Sequence, residues 1–120
     1  MKRIMTVDDS TSLRQMVRFV LEEGGYEVLE ASDGVDALSK LEGMEPDLIL
    51  SDINMPRMDG LELTRQIRAI PRYKFVPILL LTTESHPEKK KEGKEAGATG
   101  WIVKPFTPVQ MLAAVKKVMR

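Results

Sequence analysis

Five short apolar stretches, most of them ending abruptly in a charge or a hydroxyl, constrain this chain more than any other feature. Residues 4–7 stop at Asp8-Asp9, residues 48–51 at Asp52, residues 77–81 at Thr82-Thr83, and residues 101–103 at Lys104. Residues 26–31 form the remaining stretch. Each is the length of a strand, and each is followed by a segment with helical character. Leu13, Met16, Val17, Val20 and Leu21 share one helix face; Ser10 or Thr11 can cap that helix and Gly24-Gly25 can end it. Ala37, Leu38 and Leu41 mark a second helix, residues 61–68 a third and residues 87–96 a fourth. Thr107-Pro108 opens the last helix, whose expected apolar face is Val109, Leu112, Val115 and Met119. Strand and helix alternating in this way predict an α/β fold, a parallel sheet with helices on both faces. Right-handed crossovers leave few ways to connect it.

At 120 residues the chain is long enough for one domain with a single sizeable core. Lysine plus arginine is 18 and aspartate plus glutamate is 18, so the net charge is zero. That balance argues against nucleic-acid or anionic-membrane partners. There is no cysteine, which excludes disulfides, thiolate metal sites and thiol catalysis. A single histidine, His86, excludes a multi-histidine metal site. No apolar run can span a membrane, and "MKRIMTVDDS" has acids too early for a signal peptide, so a cytoplasmic protein is expected.

In open parallel sheets ligands bind beyond the carboxyl ends of the strands. Here that rim would hold Asp8, Asp9, Asp52, Thr82 and Lys104. Taken singly, acids after a strand cap helices, a threonine shapes a turn and a lysine is solvated. Their joint occurrence points to chemistry. Two unit charges ~4 Å apart repel by about 4 kcal/mol at an effective dielectric near 20. A divalent cation removes that repulsion, and magnesium suits a site made of oxygens that also takes phosphate. A carboxylate such as Asp52 can attack phosphorus. Lys104 and Thr82 could then hold two of the phosphoryl oxygens. Other phosphate-binding folds fit less well: there is no G-x-x-x-x-G-K-[ST] and no G-x-G-x-x-G. Asp8-Asp9 would repel a flavin phosphate, and a haloacid-dehalogenase-type phosphatase needs two acids separated by one residue.

"VDDS", "SDINMPRMDG", "LTTE" and "VKPF", in that order and with "EASDGVDAL" as a further match, resemble the receiver domain of two-component response regulators. The likeness covers essentially the whole chain and is strongest toward the single-domain chemotaxis type. It implies a flavodoxin-like sheet of order 2-1-3-4-5 with five helices on both faces. It implies that Asp52 accepts phosphate from a histidine kinase. Asp9, Asp52 and the Asn54 backbone carbonyl would bind magnesium directly, with Asp8 holding its water. Lys104 would pair with the phosphoryl group, and the bond before Pro105 would be cis. Thr82 would be the switch hydroxyl and Trp101 the switch aromatic. Such a domain is a phosphoacceptor that catalyses its own phosphotransfer and dephosphorylation, not an enzyme in the ordinary sense. Residues 1–120 would act as a monomeric, stand-alone receiver that docks through its fourth helix, fifth strand and last helix. The flagellar motor switch is one expected target, and a phosphatase is a further partner. A phosphorelay or phosphate-sink role outside chemotaxis is the alternative. A phosphorylation-independent, metal-binding docking module is the alternative of a different class.

Two departures from the family pattern stand out. Thr83 occupies a position where the family usually has alanine or glycine, and a branched side chain there would hinder phosphodonors or attacking water. Asn54 and Glu84, by contrast, match fast-hydrolysing members. The segment "HPEKKKEGKEAGA" is also very polar for a packed helix, and Gly93 costs it roughly 1 kcal/mol of propensity. Either it is simply a solvated face, or its lysines join Lys116 and Lys117 in a basic docking face for an acidic partner. Met16, Met111 and Met119 are expected as core filler, and no chemistry is assigned to Met55 or Met58.

Overall fold

A computed structural model describes residues 1–83 and 87–119 of the chain. In chain order the elements are β1 (Arg3–Val7), α1 (Thr11–Glu23), β2 (Glu27–Ala31), α2 (Gly34–Met44), β3 (Leu48–Asp52) and α3 (Gly60–Arg68). A short 3-10 turn at Pro71–Tyr73 leads into β4 (Ile78–Thr82), α4 (Pro87–Ala96), β5 (Gly100–Val103) and α5 (Pro108–Val118). The strands pair in parallel in the order β2-β1-β3-β4-β5. The expected doubly covered α/β sheet is therefore present. Asp52 and Thr82 are the last residues of β3 and β4, one residue further along the strands than the apolar pattern suggested.

Alternate residues of each strand feed two cores. Met5, Val7, Ile49, Ile78 and Leu80 pack with Ala37, Leu41, Leu63 and Ile67 from α2 and α3. Ile4, Leu48, Leu50, Leu79 and Leu81 pack with Val17, Val20 and Leu21 of α1 and with Met111 and Val115 of α5. The central strands β3 and β4 are buried along their whole length, which is why they read as unbroken apolar runs rather than as alternation. Side chains fix the helix starts. Ser10, rather than Thr11, caps α1; Asp33, Asp59 and Thr107 cap α2, α3 and α5, and Gln110 completes a capping box with Thr107.

Three expectations about packing are corrected. Val109, expected on the apolar face of α5, is 76% exposed, and Met111 and Val115 are the fully buried residues there. The cap at Thr107 sets the helix phase, so Met111 and Val115, one turn apart, face the sheet. Met16 is not core filler; it is 41% exposed and lines a surface groove with Leu13, Thr83, Lys104, Pro105 and Phe106. Gly93 is more than a propensity cost. It is buried, and a Cβ there would meet Leu80 Cδ1 at 3.2 Å and Leu61 Cδ2 at 3.9 Å. Its lack of a side chain lets the polar helix α4 lie close against the same sheet face as α2 and α3. Among the described residues, no helix is long and apolar enough to cross a membrane.

Candidate functional site

Parallel pairing brings the carboxyl ends of β1, β3, β4 and β5 to one rim, with Val7 beside Ser51, Asp52 beside Leu81 and Thr82 beside Val103. Asp8 and Asp9 follow β1 directly. One carboxylate oxygen from each of Asp8, Asp9 and Asp52 lies within 4.8 Å of the others. Asp8 and Asp52 are buried and Asp9 is exposed. Asp52 Oδ1 accepts from the Ile53 backbone N–H and from Lys104 Nζ, each at 3.0 Å. Lys104 is itself held by its backbone N–H, which donates to the Thr82 carbonyl at 2.8 Å.

Asp8 is buried with one of its carboxylate oxygens unpaired. Its Oδ1 accepts from the Ser10 backbone N–H at 2.9 Å, whereas its buried Oδ2 has no hydrogen-bond partner. Burial pushes its carboxyl above its ordinary value; the Ser10 N–H opposes this, Asp52 and Asp9 add to it, and Lys104 offsets part of it. A buried acceptor without a donor, next to two further carboxylates, is a set of hard oxygen donors suited to a small divalent cation such as magnesium. The residues present fit that ion.

The remaining expected residues lie around this cluster. Asn54 is exposed in the loop between β3 and α3. Thr82 is buried at the end of β4, and Thr83 is exposed beside Lys104 and Pro105. The Lys104–Pro105 peptide bond is cis. Glu84, like His86, falls outside the described residues. Trp101 does not line the acidic cluster. It sits on the outer side of β5, 37% exposed, with Lys90 Nζ 5.2 Å from its ring centre. Trp101 helps line a cavity of about 10 Å³ with Ile53, Leu80, Thr82, Lys89, Lys90 and Gly93. That is room for about one water.

Three features of the site were not anticipated. Arg14 Nη1 donates to the Asp8 carbonyl at 2.6 Å and its Nε donates to Glu30 at 3.1 Å, bracing the turn that carries the two acids. Arg57, with φ +66°, donates twice to Asp33. Gly60 closes onto the backbone of the strand end: a Cβ there would lie 2.3 Å from the Asp52 carbonyl oxygen. The two arginine pairings with Glu30 and Asp33 join residues far apart in sequence and leave no local pattern.

Comparison with known proteins agrees with this geometry. A family model described as the response regulator receiver domain matches residues 4–116. The chain is 40% identical to the alkaline phosphatase synthesis transcriptional regulatory protein PhoP of Bacillus subtilis and 36% identical to the phosphate regulon transcriptional regulatory protein PhoB of Escherichia coli. Each match covers 99% of this chain, with 49% and 52% of the relatives covered, so the chain spans about half the length of the curated relatives it matches. Among solved structures, the chemotaxis protein CheY4 of Vibrio cholerae is 52% identical, with a TM-score of 0.95 over 98% of both chains. A putative response regulator from Chloroflexus aurantiacus is 35% identical, with a TM-score of 0.94 over 98% of this chain and 97% of that one. The chain belongs to the response regulator receiver domain family, the phosphorylation-activated switches of two-component systems.

Proposed function

We propose that Asp52 accepts a phosphoryl group from a histidine kinase and that the change is read on the face built from α4, β5 and α5. One observation carries the reading. Asp52 ends β3 with Oδ1 bound to Lys104 and with Asp8 and Asp9 within reach of the same point. Among the described residues, both hydrogen bonds to its carboxylate fall on Oδ1, which leaves Oδ2 to attack. The Oδ2–P bond forms as the P–N bond to the kinase histidine breaks, and the departing imidazole takes up a proton. Lys104 then pairs with a phosphoryl oxygen, and Thr82 hydrogen-bonds another. Asp8, Asp9, Asp52 and the Asn54 carbonyl would hold magnesium. When bound, that ion neutralises the carboxylates and the incoming phosphoryl charge. The same groups serve self-catalysed hydrolysis, with Asn54, Thr83 and Glu84 tuning its rate.

Thr82 and Trp101 are the switch in this reading. They lie on adjacent strands and line the same small cavity. Drawing the Thr82 hydroxyl toward the phosphate makes room for the indole and alters the docking face. Lys89, Lys90 and Lys94 of α4, with Lys116 and Lys117 of α5, favour an acidic partner segment there. The likeness to CheY4 supports a chemotaxis role, with the flagellar motor switch as target.

The test is mass spectrometry after treatment with acetyl phosphate. One phosphate is expected, with magnesium only, and none on Asp52→Asn. Equal labelling of that variant removes Asp52 from its role. The pathway is tested separately, by whether the wild-type gene, and not the Asp52→Asn gene, restores swimming reversals to a deletion strain.

A further inference from the structure

The loop between β3 and α3 is tied down at its ends. Ile53 N–H donates to the Leu81 carbonyl at 3.2 Å, and Gly60 N–H returns to the Ile53 carbonyl at 2.8 Å. Between those points the backbone makes one internal hydrogen bond, from Met58 N–H to the Pro56 carbonyl at 2.7 Å. Among the described residues, the hydrogen bonds joining residues 54–58 to the rest of the chain are both made by Arg57. Its Nε and Nη2 donate to Asp33 Oδ2 at 3.0 and 2.6 Å.

The two partners are unequally placed. The Arg57 side chain is 61% exposed and that of Asp33 only 8%. Asp33 is also the cap of α2, its Oδ1 accepting from the Asp36 N–H at 2.8 Å. It is therefore a fixed post, and Arg57 is the arm that reaches it. The arm extends from a left-handed backbone, φ +66°, which disfavours a long side chain and suits glycine or asparagine. A second contact lies beside the first. Met58 sits on Gly34, where a Cβ would come within 2.9 Å of its Cγ and Sδ. The middle of the loop thus rests on the N-terminus of α2 at two adjacent points.

We propose that Arg57 is a positioning residue for the phosphorylation site: its pair with Asp33 holds the loop that carries Asn54 against the acidic rim, and so sets the affinity for magnesium. The inference rests on the reading above in which the Asn54 carbonyl is a metal ligand. The alternative is an ordinary surface ion pair, and a half-exposed pair contributes little to stability. The two roles separate experimentally, because Arg57→Gly removes the arm and relieves the left-handed strain together. An ordinary surface pair predicts little change in stability and none in metal binding. A positioning pair predicts a loss of metal affinity with no matching loss of stability.

Magnesium affinity is measured by isothermal titration calorimetry on the wild type, Arg57→Gly, Arg57→Lys and Asp33→Asn, with urea midpoints taken alongside. Asparagine is as good a helix cap as aspartate, so α2 stays capped in the last variant. Removing partners of metal ligands typically weakens sites roughly 10–100-fold. Magnesium keeps several of its waters, so a smaller loss, about 3- to 10-fold, is expected for Arg57→Gly and Asp33→Asn. The double variant is expected to be no weaker than either single one. Arg57→Lys keeps the charge but loses the two-pronged grip, and is expected to recover affinity in part. An unchanged magnesium affinity in Arg57→Gly, with Asp52 still labelled in a metal-dependent way, overturns the positioning role and leaves the site intact. An affinity loss that only tracks the unfolded fraction seen by circular dichroism overturns it as well. A wild type that binds no magnesium and takes no phosphate overturns the site reading, and the inference with it.

Discussion

Lys90 Nζ lies over the Trp101 ring, 5.2 Å from its centre, on the side of the indole that faces α4. The cation gives the aromatic a partner where it stands. The cavity it lines, about 10 Å³, has room for about one water and none for an indole. In the proposed switch, inward movement of Trp101 requires Thr82 to withdraw and α4 to yield.

A cation over an aromatic face at a partly exposed site is worth about 0.5–1 kcal/mol. Lys90→Gln is expected to remove that bias toward the outward state. Beryllofluoride with magnesium should then bind about 2- to 5-fold more tightly than to the wild type, since each 1.4 kcal/mol is a factor of ten. Tryptophan emission, expected to respond to the two ligands together and not to either alone, is the readout. An equal affinity in the variant would mean that Lys90 does not bias the ring.

Gly93 faces two opposing effects. Alanine would gain roughly 1 kcal/mol of helix propensity but would press a methyl into the 3.2 Å approach to Leu80. The near atom is a terminal methyl that can shift slightly, so Gly93→Ala is expected to change stability by less than about 0.5 kcal/mol. Gly93→Leu cannot be absorbed and is expected to cost about 1–3 kcal/mol. Urea denaturation of both variants checks the contrast. A leucine variant as stable as the wild type would show that α4 lifts away freely.

The Asp8 carboxyl sets a pH dependence in chelator. Burial raises it, so between the ordinary carboxylate value and the raised one the folded protein binds more protons than the unfolded chain. Its contribution to stability therefore falls as pH rises through that window. Asp33 runs the other way. The Asp36 N–H and then Arg57 lower its carboxyl, so its contribution is present above the unfolded value and lost as pH falls. Urea midpoints in chelator between about pH 4 and 7, the range spanned by ordinary and raised carboxylates, should have a more positive slope in Asp8→Asn than in the wild type. Parallel curves would contradict the burial of Asp8.

Neutralising one acid should also stabilise the metal-free protein. Asp8→Asn is expected to gain about 1–3 kcal/mol, the usual penalty of an unsatisfied buried group, because its Oδ2 has no donor. The gain in Asp9→Asn should be smaller, since Asp9 is exposed. For Asp52→Asn the relief is offset by a stranded Lys104, whose ammonium loses its carboxylate at 3.0 Å. Adding magnesium should shrink each gain, because the ion stabilises the wild type preferentially. Chemical denaturation with and without the metal tests this order.

Much of the architecture was legible because fully buried parallel strands have no polar face to confuse the pattern. The runs of β1, β3 and β4 stood out for that reason, and so did the residues that end them. Helix faces were read less well. In α5 the period put Val109 on the inner face, where the phase set by the Thr107 cap leaves it exposed, whereas Met111, read as core filler, is buried. In α4 a glycine at a close approach looks the same in sequence as a glycine that merely weakens a helix. The gathering of the acids and the lysine at one rim was legible since each ends its strand or directly follows it. Their bracing was not: Arg57 and Asp33 are 24 residues apart, and Arg14 and Glu30 are 16 apart.

Gly60 has a consequence for the direction in which a signal can leave Asp52. The first residue of α3 abuts the Asp52 carbonyl, which also accepts from Ser51 Oγ at 2.8 Å, and the Gly60 N–H is bound to Ile53. The main chain around the acid is locked on both sides, so a new group on its side chain has no slack to pull along β3. If Asp52 takes the phosphoryl group as proposed, the change it carries passes sideways, across the ladder to β4 and β5.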